Sequence, residues 1–190
     1  GAAERIALDL GDAGLENTPD ARRILVETLR RWRPAAVLTH HPADRHPDHA
    51  RAHRLVRECC FYASIAKFAA SGQRLAPPPP LFYFFGNPAP HELRPDFIVP
   101  LAEAEQERKR RAIAAYETQF HNPANAGGEP TMIASREYAE AMEGRSRMLG
   151  QSVGAAHGEA YALDRPPGIA DPLRALFGLA PGPATPRRPA

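Results

Sequence analysis

The chain has 190 residues, of which 43% are hydrophobic and 24% charged, a length and composition typical of one globular domain. A formal net charge of +2 gives no reason to expect nucleic acid or an anionic membrane as a partner. No apolar run reaches the roughly 18 residues of a transmembrane helix, so none is predicted. Cys59 and Cys60 are adjacent in a predicted helix and point in different directions, which favours buried, reduced thiols and a cytoplasmic protein.

In chain order, the first predicted helix is entered through Thr18 as cap and Pro19 at its first position. Apolar residues then recur at helical spacing, so we expect Ile24, Leu25, Leu29 and Trp32 to be buried and Arg22, Arg23, Arg30 and Arg31 to be largely solvated. Residues 35–38 form a short apolar run, which predicts a buried strand. A helix over about residues 50–69 follows.

Further along, residues 81–85 and 97–99 are predicted strands. Residues 102–120 and 135–149 are predicted helices, with Arg145 and Arg147 in the second. Residues 122–130 are rich in glycine, asparagine and proline and predict a mobile loop, and the proline-rich residues 180–190 predict a disordered tail. Strands that alternate with helices favour an α/β fold with a doubly wound sheet.

Four of the eight histidines fall within ten residues after the first strand: His40, His41, His46 and His49. Asp44 and Asp48 lie among them. Imidazole is the commonest nitrogen ligand for zinc, and a carboxylate completes the shell or orients an imidazole. Because Pro47 fixes φ, His46 and His49 share one rigid turn, which predicts one metal ligand and one proton-transfer or oxyanion-stabilising group.

A purely structural alternative stays open at this point. Histidines and aspartates before a helix are common as surface residues, and Asp48 would then cap a helix that begins at Ala50. His53 lies four residues after His49 on the same helix face. It fits a partner behind the site and a core-edge histidine equally well.

Residues 44–53, Asp-Arg-His-Pro-Asp-His-Ala-Arg-Ala-His, follow an Arg-Pro-x-x-Val-Leu strand. They resemble the second motif of the LmbE/PIG-L family of zinc-dependent N-acetylglucosaminyl deacetylases. Within that family the resemblance is closest to the bacillithiol-pathway enzymes that deacetylate N-acetylglucosaminyl-malate. Residues 8–18, 57–61, 116–120, 145–150 and 158–161 resemble further family segments in the family's order, so the similarity extends from about Glu4 to Phe177.

The resemblance implies a Rossmann-like, three-layer α/β/α domain over residues 1–179, with a mostly parallel sheet that lacks its first strand. It also implies Zn²⁺ as cofactor, with His49 as a ligand and His46 as the acid or electrophile that faces the tetrahedral intermediate. Asp48 or Asp44 would orient an imidazole. Tyr138 would be a gate or oxyanion donor, Arg145 and Arg147 would bind carboxylates of a malyl aglycone, and Gln119 would lie at the substrate edge. Ordinary helix surface remains an equal alternative for Tyr138 and the two arginines.

One departure from the family pattern bears on function. The family's first motif, an Ala-His-Pro-Asp-Asp-Glu-like stretch that supplies two zinc ligands and the general base, has no counterpart here, and the chain opens with Gly1. We therefore expect an N-terminally truncated sequence that is inactive alone, because a catalytic zinc needs about three protein ligands. The intact parent would deacetylate a small N-acetylglucosamine conjugate and form a homo-oligomer. The alternatives are a non-catalytic module that binds a sugar conjugate, and a deacetylase or amidase for mycothiol-like or lipid-linked glucosamine.

Overall fold

The computed structural model describes residues 2–86, 94–122, 131–170 and 175. The described chain contains these elements in order: α1 (Pro19–Trp32), β1 (Val37–His40), α2 (Pro47–Ala63), β2 (Leu81–Phe84), β3 (Phe97–Leu101), α3 (Glu103–Ala114), a single 3-10 turn (Met132–Ala134), α4 (Arg136–Ser152) and β4 (His157–Leu163). The predicted tail at 180–190 and nearly all of the predicted loop at 122–130 lie outside the described residues. Within those residues, no helix is long and apolar enough to span a bilayer.

The four described strands form one sheet in the order β1-β2-β4-β3. β1 pairs with β2 in parallel, with Val37 opposite Leu81, whereas β4 runs antiparallel to both β2 and β3. The predicted α/β, Rossmann-like class is confirmed. Among the described pairings one is parallel and two are antiparallel, because β4 enters the sheet between β2 and β3.

Helices cover both faces of this sheet. Successive strand residues point to opposite faces, so Leu81 and Tyr83 face one side and Phe84 the other. The α1–α2 pair lies on the first side, where the ring of His53 in α2 is 4.6 Å from the ring of Tyr83. α3 and α4 lie on the side of Phe84 and Tyr161, and with the sheet they form three layers.

The buried core lies mainly between the sheet and the α1–α2 pair. Its most enclosed side chains are Val26 of α1 and Cys59 of α2. Both cysteines are free and buried, as expected, and burial raises the pKa of the Cys60 thiol to about 11. Trp32 and Leu38 were expected inside, but they are 46% and 53% exposed; Leu38 lies on β1, which is an edge strand of the sheet.

Helix starts follow local capping, whereas helix ends follow tertiary contacts. α1 begins as predicted, with the Thr18 side chain accepting from the backbone N–H of Ala21. α2 begins at Pro47 and not near Ala50, because the side chain of His46 caps it. Pro47 suits the first helical position, where its missing N–H costs nothing.

Two predicted helices are too long. α2 ends at Ala63 rather than near residue 69, and α3 ends at Ala114 rather than 120. Arg30, expected to be solvated, is buried, and its guanidinium donates to the carbonyls of Ala63, Ile65 and Ala70. These bonds satisfy carbonyl groups at and beyond the end of α2, so the chain turns away without exposing them.

Candidate functional site

The histidine cluster lies where β1 ends and α2 begins. His40 is the last residue of β1, and His46 is the N-cap of α2. The Nδ1 of His46 accepts a hydrogen bond of 3.2 Å from the backbone N–H of Asp48. A neutral imidazole that accepts at Nδ1 carries its proton on Nε2, so His46 presents a donor on the side away from the helix.

Four rings follow one another at this point, and we call them the ring stack: Phe84, His40, His49 and His46. The centroids of His40 and His49 are 4.1 Å apart, with their planes inclined by 21°. On the other side of His49, the ring of His46 lies at 4.7 Å and 27°. Phe84 backs His40 at 4.7 Å in a tilted arrangement. The imidazole of His49 is therefore held between two other imidazoles.

Two buried nitrogens in the ring stack have no hydrogen-bond partner: Nδ1 of His40 and Nδ1 of His49. The second lies 3.1 Å from Oδ1 of Asp44, but the two atoms are not aligned for a hydrogen bond. Burial, together with the neighbouring His49, lowers the pKa of His40 to about 4. His40 is therefore neutral at pH 7, and its lone pair is available.

The two aspartates of the turn have different roles. The carboxylate of Asp44 is almost fully buried and accepts from the backbone N–H of His46 at 2.9 Å while it faces His49. The carboxylate of Asp48 pairs with Arg51 at 2.9 Å, and its contact with His46 is made by its backbone N–H. Of the two, Asp44 is the carboxylate next to an imidazole.

The remaining histidines near the cluster have structural contacts. His41 stacks on Phe85 at 4.6 Å and accepts from the backbone N–H of Ala43. His53 donates from Nδ1 to the carbonyl of His40 at 3.0 Å, which joins α2 to the end of β1. His53 thus lies behind the cluster and is half-buried against the ring of Tyr83, which fits both interpretations of its position.

A cleft of about 430 Å³ opens beside the ring stack, between the sheet and the α3–α4 pair. Phe84 belongs both to its wall and to the ring stack. Arg145 lies in the wall, and burial lowers the pKa of its guanidinium. Burial raises the pKa of the neighbouring Tyr138 hydroxyl, while the positive charges of Arg145 and Arg45 oppose that rise.

Two predicted substrate-binding residues do not reach this cleft. Gln119 is exposed in the turn that follows α3. Arg147 is exposed on α4, where it pairs with Glu143 at 3.2 Å. Positions two apart on a helix differ by about 200° in direction, so Arg145 and Arg147 cannot line the same wall.

A charged group in the cleft wall was not predicted as part of a site. Lys109 of α3 forms an ion pair with Glu159 of β4, and the hydroxyl of Tyr161 donates to the same carboxylate at 2.8 Å. Lys109 lies three and four residues before Ala112 and Ile113, which also line the cleft, and this helical spacing was the signal that could have identified it.

The donor types at the cluster suit zinc, since imidazole and carboxylate are its usual ligands besides thiolate. The two bare imidazole nitrogens fit the same interpretation. In the part of the chain that the structure describes, however, no group of three His, Cys, Asp or Glu residues is placed to hold a metal ion.

Comparison with known proteins bears on this geometry. Residues 1–60 match the PIG-L family model, described as GlcNAc-PI de-N-acetylase. The matched region includes α1, β1 and the imidazoles of the ring stack. A diacetylchitobiose deacetylase of Thermococcus kodakarensis is 32% identical over 117 residues, which cover 60% of this chain and 43% of that protein. The chain thus spans less than half of that relative.

Solved structures give the same picture of the fold. The conserved protein TT1542 from Thermus thermophilus superposes with a TM-score of 0.70 at 29% identity, over 84% of this chain and 65% of that one. GalB, the 4-carboxy-2-hydroxymuconate hydratase of Pseudomonas putida, superposes with a TM-score of 0.63 at 21% identity, over 86% and 65% of the two chains. The second likeness concerns the fold alone. A fold shared with a hydratase does not select the reaction, so the PIG-L match and the site carry the functional argument.

Proposed function

We propose that this chain is part of a PIG-L/LmbE family hydrolase that uses zinc to remove the acetyl group from an N-acetylglucosamine conjugate. N-acetylglucosaminyl-malate, an intermediate of bacillithiol biosynthesis, is the proposed substrate. The observation that carries the proposal is the pair of bare buried nitrogens on His40 and His49, beside the donor His46, inside the region that matches PIG-L. Buried polar atoms are nearly always paired, so unpaired ones at a strand end favour a ligand site.

His49 would hold the zinc together with ligands that the described residues do not include. When bound, the metal would polarise the amide carbonyl and lower the pKa of a bound water. The contribution of this chain is the placement of His49 between two rings, with the buried carboxylate of Asp44 at its Nδ1 edge.

His46 would stabilise the developing negative charge on the acetamide oxygen. The backbone N–H of Asp48 occupies its Nδ1, which leaves Nε2–H to donate a hydrogen bond to that oxygen. Asp48 would act here through its backbone, and its carboxylate would hold Arg51 instead.

Arg145 would bind a carboxylate of the malyl aglycone from the cleft wall. Tyr138 lies near enough for the charge of Arg145 to influence its hydroxyl, which supports a role at the cleft mouth. The cleft wall is otherwise mainly apolar, so a lipid-linked or mycothiol-like glucosamine is the competing substrate class. We also propose a cytoplasmic homo-oligomer.

The decisive variant is His46→Asn in the natural full-length protein. Asparagine keeps an N-cap acceptor for α2 and removes the imidazole, so loss of helix capping is separated from loss of catalysis. We expect kcat/KM for deacetylation to fall about 10²- to 10³-fold, the effect of one lost oxyanion donor. His121→Asn, at an exposed histidine, is the matched control. An unchanged rate in His46→Asn would exclude the assigned role.

A non-catalytic module that binds a sugar conjugate is the second candidate, and the lack of a described three-ligand set favours it. Zinc content separates the two. A metal analysis of the full-length protein purified without added metal should give about one zinc per chain for the hydrolase. A protein that binds the conjugate but holds no zinc and releases no acetate would be the module.

A further inference from the structure

The imidazole of His49 lacks the hydrogen bond that usually fixes a functional histidine. A metal-binding imidazole normally donates its second nitrogen to a carboxylate or carbonyl, which sets its orientation. Here the Nδ1 of His49 approaches Asp44 without completing that bond. Contacts on the two faces of the ring, with His40 and His46, therefore contribute to setting its plane.

We propose that His40 is a positioning residue whose ring face, rather than its nitrogen, holds the imidazole of His49 in place. The two ring centroids are 4.1 Å apart and the ring planes are inclined by only 21°, a stacked contact closer than the roughly 4.5–7 Å usual for aromatic pairs. His46 closes the other side at 4.7 Å. Rotation of the His49 ring out of this plane would collide with one neighbour or the other.

His40 is itself firmly anchored, as a positioning residue must be. It ends β1 in register with Phe84 on β2, and the Phe84 ring backs its imidazole at 4.7 Å. Its carbonyl accepts from Nδ1 of His53 on α2 at 3.0 Å. The sheet and the helix therefore both fix the backbone from which this ring projects.

The Nδ1 nitrogen of His40 has no described partner in this arrangement. If the ring face of residue 40 holds the imidazole of His49 in place, a phenyl group at this position should hold it equally well. If the nitrogen matters, for example as a ligand, phenylalanine should fail as completely as alanine. The inference deepens the proposed function, since His49 is the proposed zinc ligand, but its first test needs no metal.

The test compares His40→Phe, His40→Ala and the control His121→Ala, at an exposed histidine. Side-chain NMR of the histidines in the metal-free chain reads the ring-current shifts of the His49 ring protons. We expect His40→Phe to keep the His49 ring protons shifted upfield by a stacked ring, and His40→Ala to move them towards values of an unstacked histidine. His49 shifts that stay unmoved in His40→Ala would overturn the inference. If His40→Ala does not fold, His40→Leu keeps the bulk without the ring.

Zinc titration of the full-length protein gives a second readout. We expect the Kd for Zn²⁺ to rise about 10- to 100-fold in His40→Ala, the range for residues that orient a ligand, and to change less than about twofold in His40→Phe. Equal losses in both variants would overturn the inference in favour of a nitrogen role. A wild-type protein that binds no zinc would count against the proposed function, while the NMR result would still decide the role of His40.

Discussion

Two histidine environments differ sharply in this molecule. At the contact of α3, α4 and β4, His157 is almost fully buried and bonded at Nε2 to Glu103 at 3.1 Å. Ser146 approaches its Nδ1 and donates to Gln106, which in turn donates to Glu143 at 2.9 Å. We call this set the Ser146 network. In the ring stack, by contrast, His40 and His49 each keep a bare buried nitrogen.

The difference between the two regions lies in whether their buried polar atoms have hydrogen-bond partners. In the Ser146 network the polar side chains have partners, which is what a structural polar core requires. In the ring stack, Nδ1 of His40 has no partner, at a cost of about 1–3 kcal/mol for an unsatisfied buried group, whereas Nδ1 of His49 lies 3.1 Å from the carboxylate of Asp44. The comparison therefore assigns a structural role to His157 and makes His40 and His49 the candidates for a functional role.

The largest effect is expected at the packing beneath the Ser146 network. A Cβ at Gly150 would lie 2.5 Å from backbone atoms of His157, which are not free to move. We expect Gly150→Ala to lower the free energy of unfolding by about 3 kcal/mol through overpacking. Urea unfolding followed by circular dichroism measures it.

Gly144 provides the matched control in the same helix, because nothing lies within 4 Å of its Cβ position. Gly144→Ala should raise the free energy of unfolding by about 0.5–1 kcal/mol through helix propensity alone. Equal effects at the two positions would show that α4 does not depend on close contact with β4.

The same substitution at two histidines tests the comparison directly. His157→Phe removes a bonded imidazole and should cost about 2 kcal/mol, since polar partners are left behind. His40→Phe replaces a ring whose Nδ1 has no partner and should change stability by less than about 1 kcal/mol, with a gain in stability as the favoured sign. Thermal unfolding of both variants, side by side, gives the answer. If His40→Phe were the more damaging change, the assignment of the two regions would be reversed.

A smaller effect concerns pH. Hydrogen bonds from the Arg110 guanidinium hold the pKa of Glu143 down at about 2, against an ordinary value of 4.5. A lowered folded-state pKa stabilises the protein above the unfolded pKa. The stability difference between wild type and Glu143→Gln should therefore be full above about pH 5 and shrink as the pH falls towards 2.

Glu140 provides the control for this prediction, because its ion pair with Arg136 is mostly exposed at both ends. Glu140→Gln should have an effect near zero at every pH. A pH dependence of the same size in both variants would mean that the whole charge of the chain, rather than the Ser146 network, sets the acid sensitivity. Urea unfolding at a series of pH values measures both.

Local signals predicted the parts of the fold that local chemistry controls. Thr18 and Pro19 marked the start of α1 correctly, and the apolar run before the histidines marked β1. The start of α2 was misplaced because the capping acceptor is an imidazole nitrogen rather than an aspartate. The ends of α2 and α3 depend on distant residues such as Arg30, which no local pattern reveals.

Some features of the candidate site also follow from local sequence, whereas others depend on tertiary contacts. The spacing of the histidines predicted that they gather, and the resemblance assigned roles to His46 and His49. The sequence could not show which imidazole nitrogens lack hydrogen-bond partners, because that depends on the tertiary structure. His157 was not considered, since a single histidine in an otherwise ordinary stretch gives no local signal. β4 itself was not predicted, because Gly158, Ala160 and Ala162 are small residues that allow α4 to approach rather than typical strand formers.

The first turn of α2 carries both His46 and His49, whereas His40 belongs to the sheet. The ring stack therefore connects the sheet to the start of α2. α2 has 17 residues, and beyond its first turns it packs in the core through Leu55 and Cys59. A core substitution that tilts α2 would separate the His40 and His49 rings without contacting either of them. The geometry of the candidate site therefore depends on packing at Cys59, nearly three helical turns from His49.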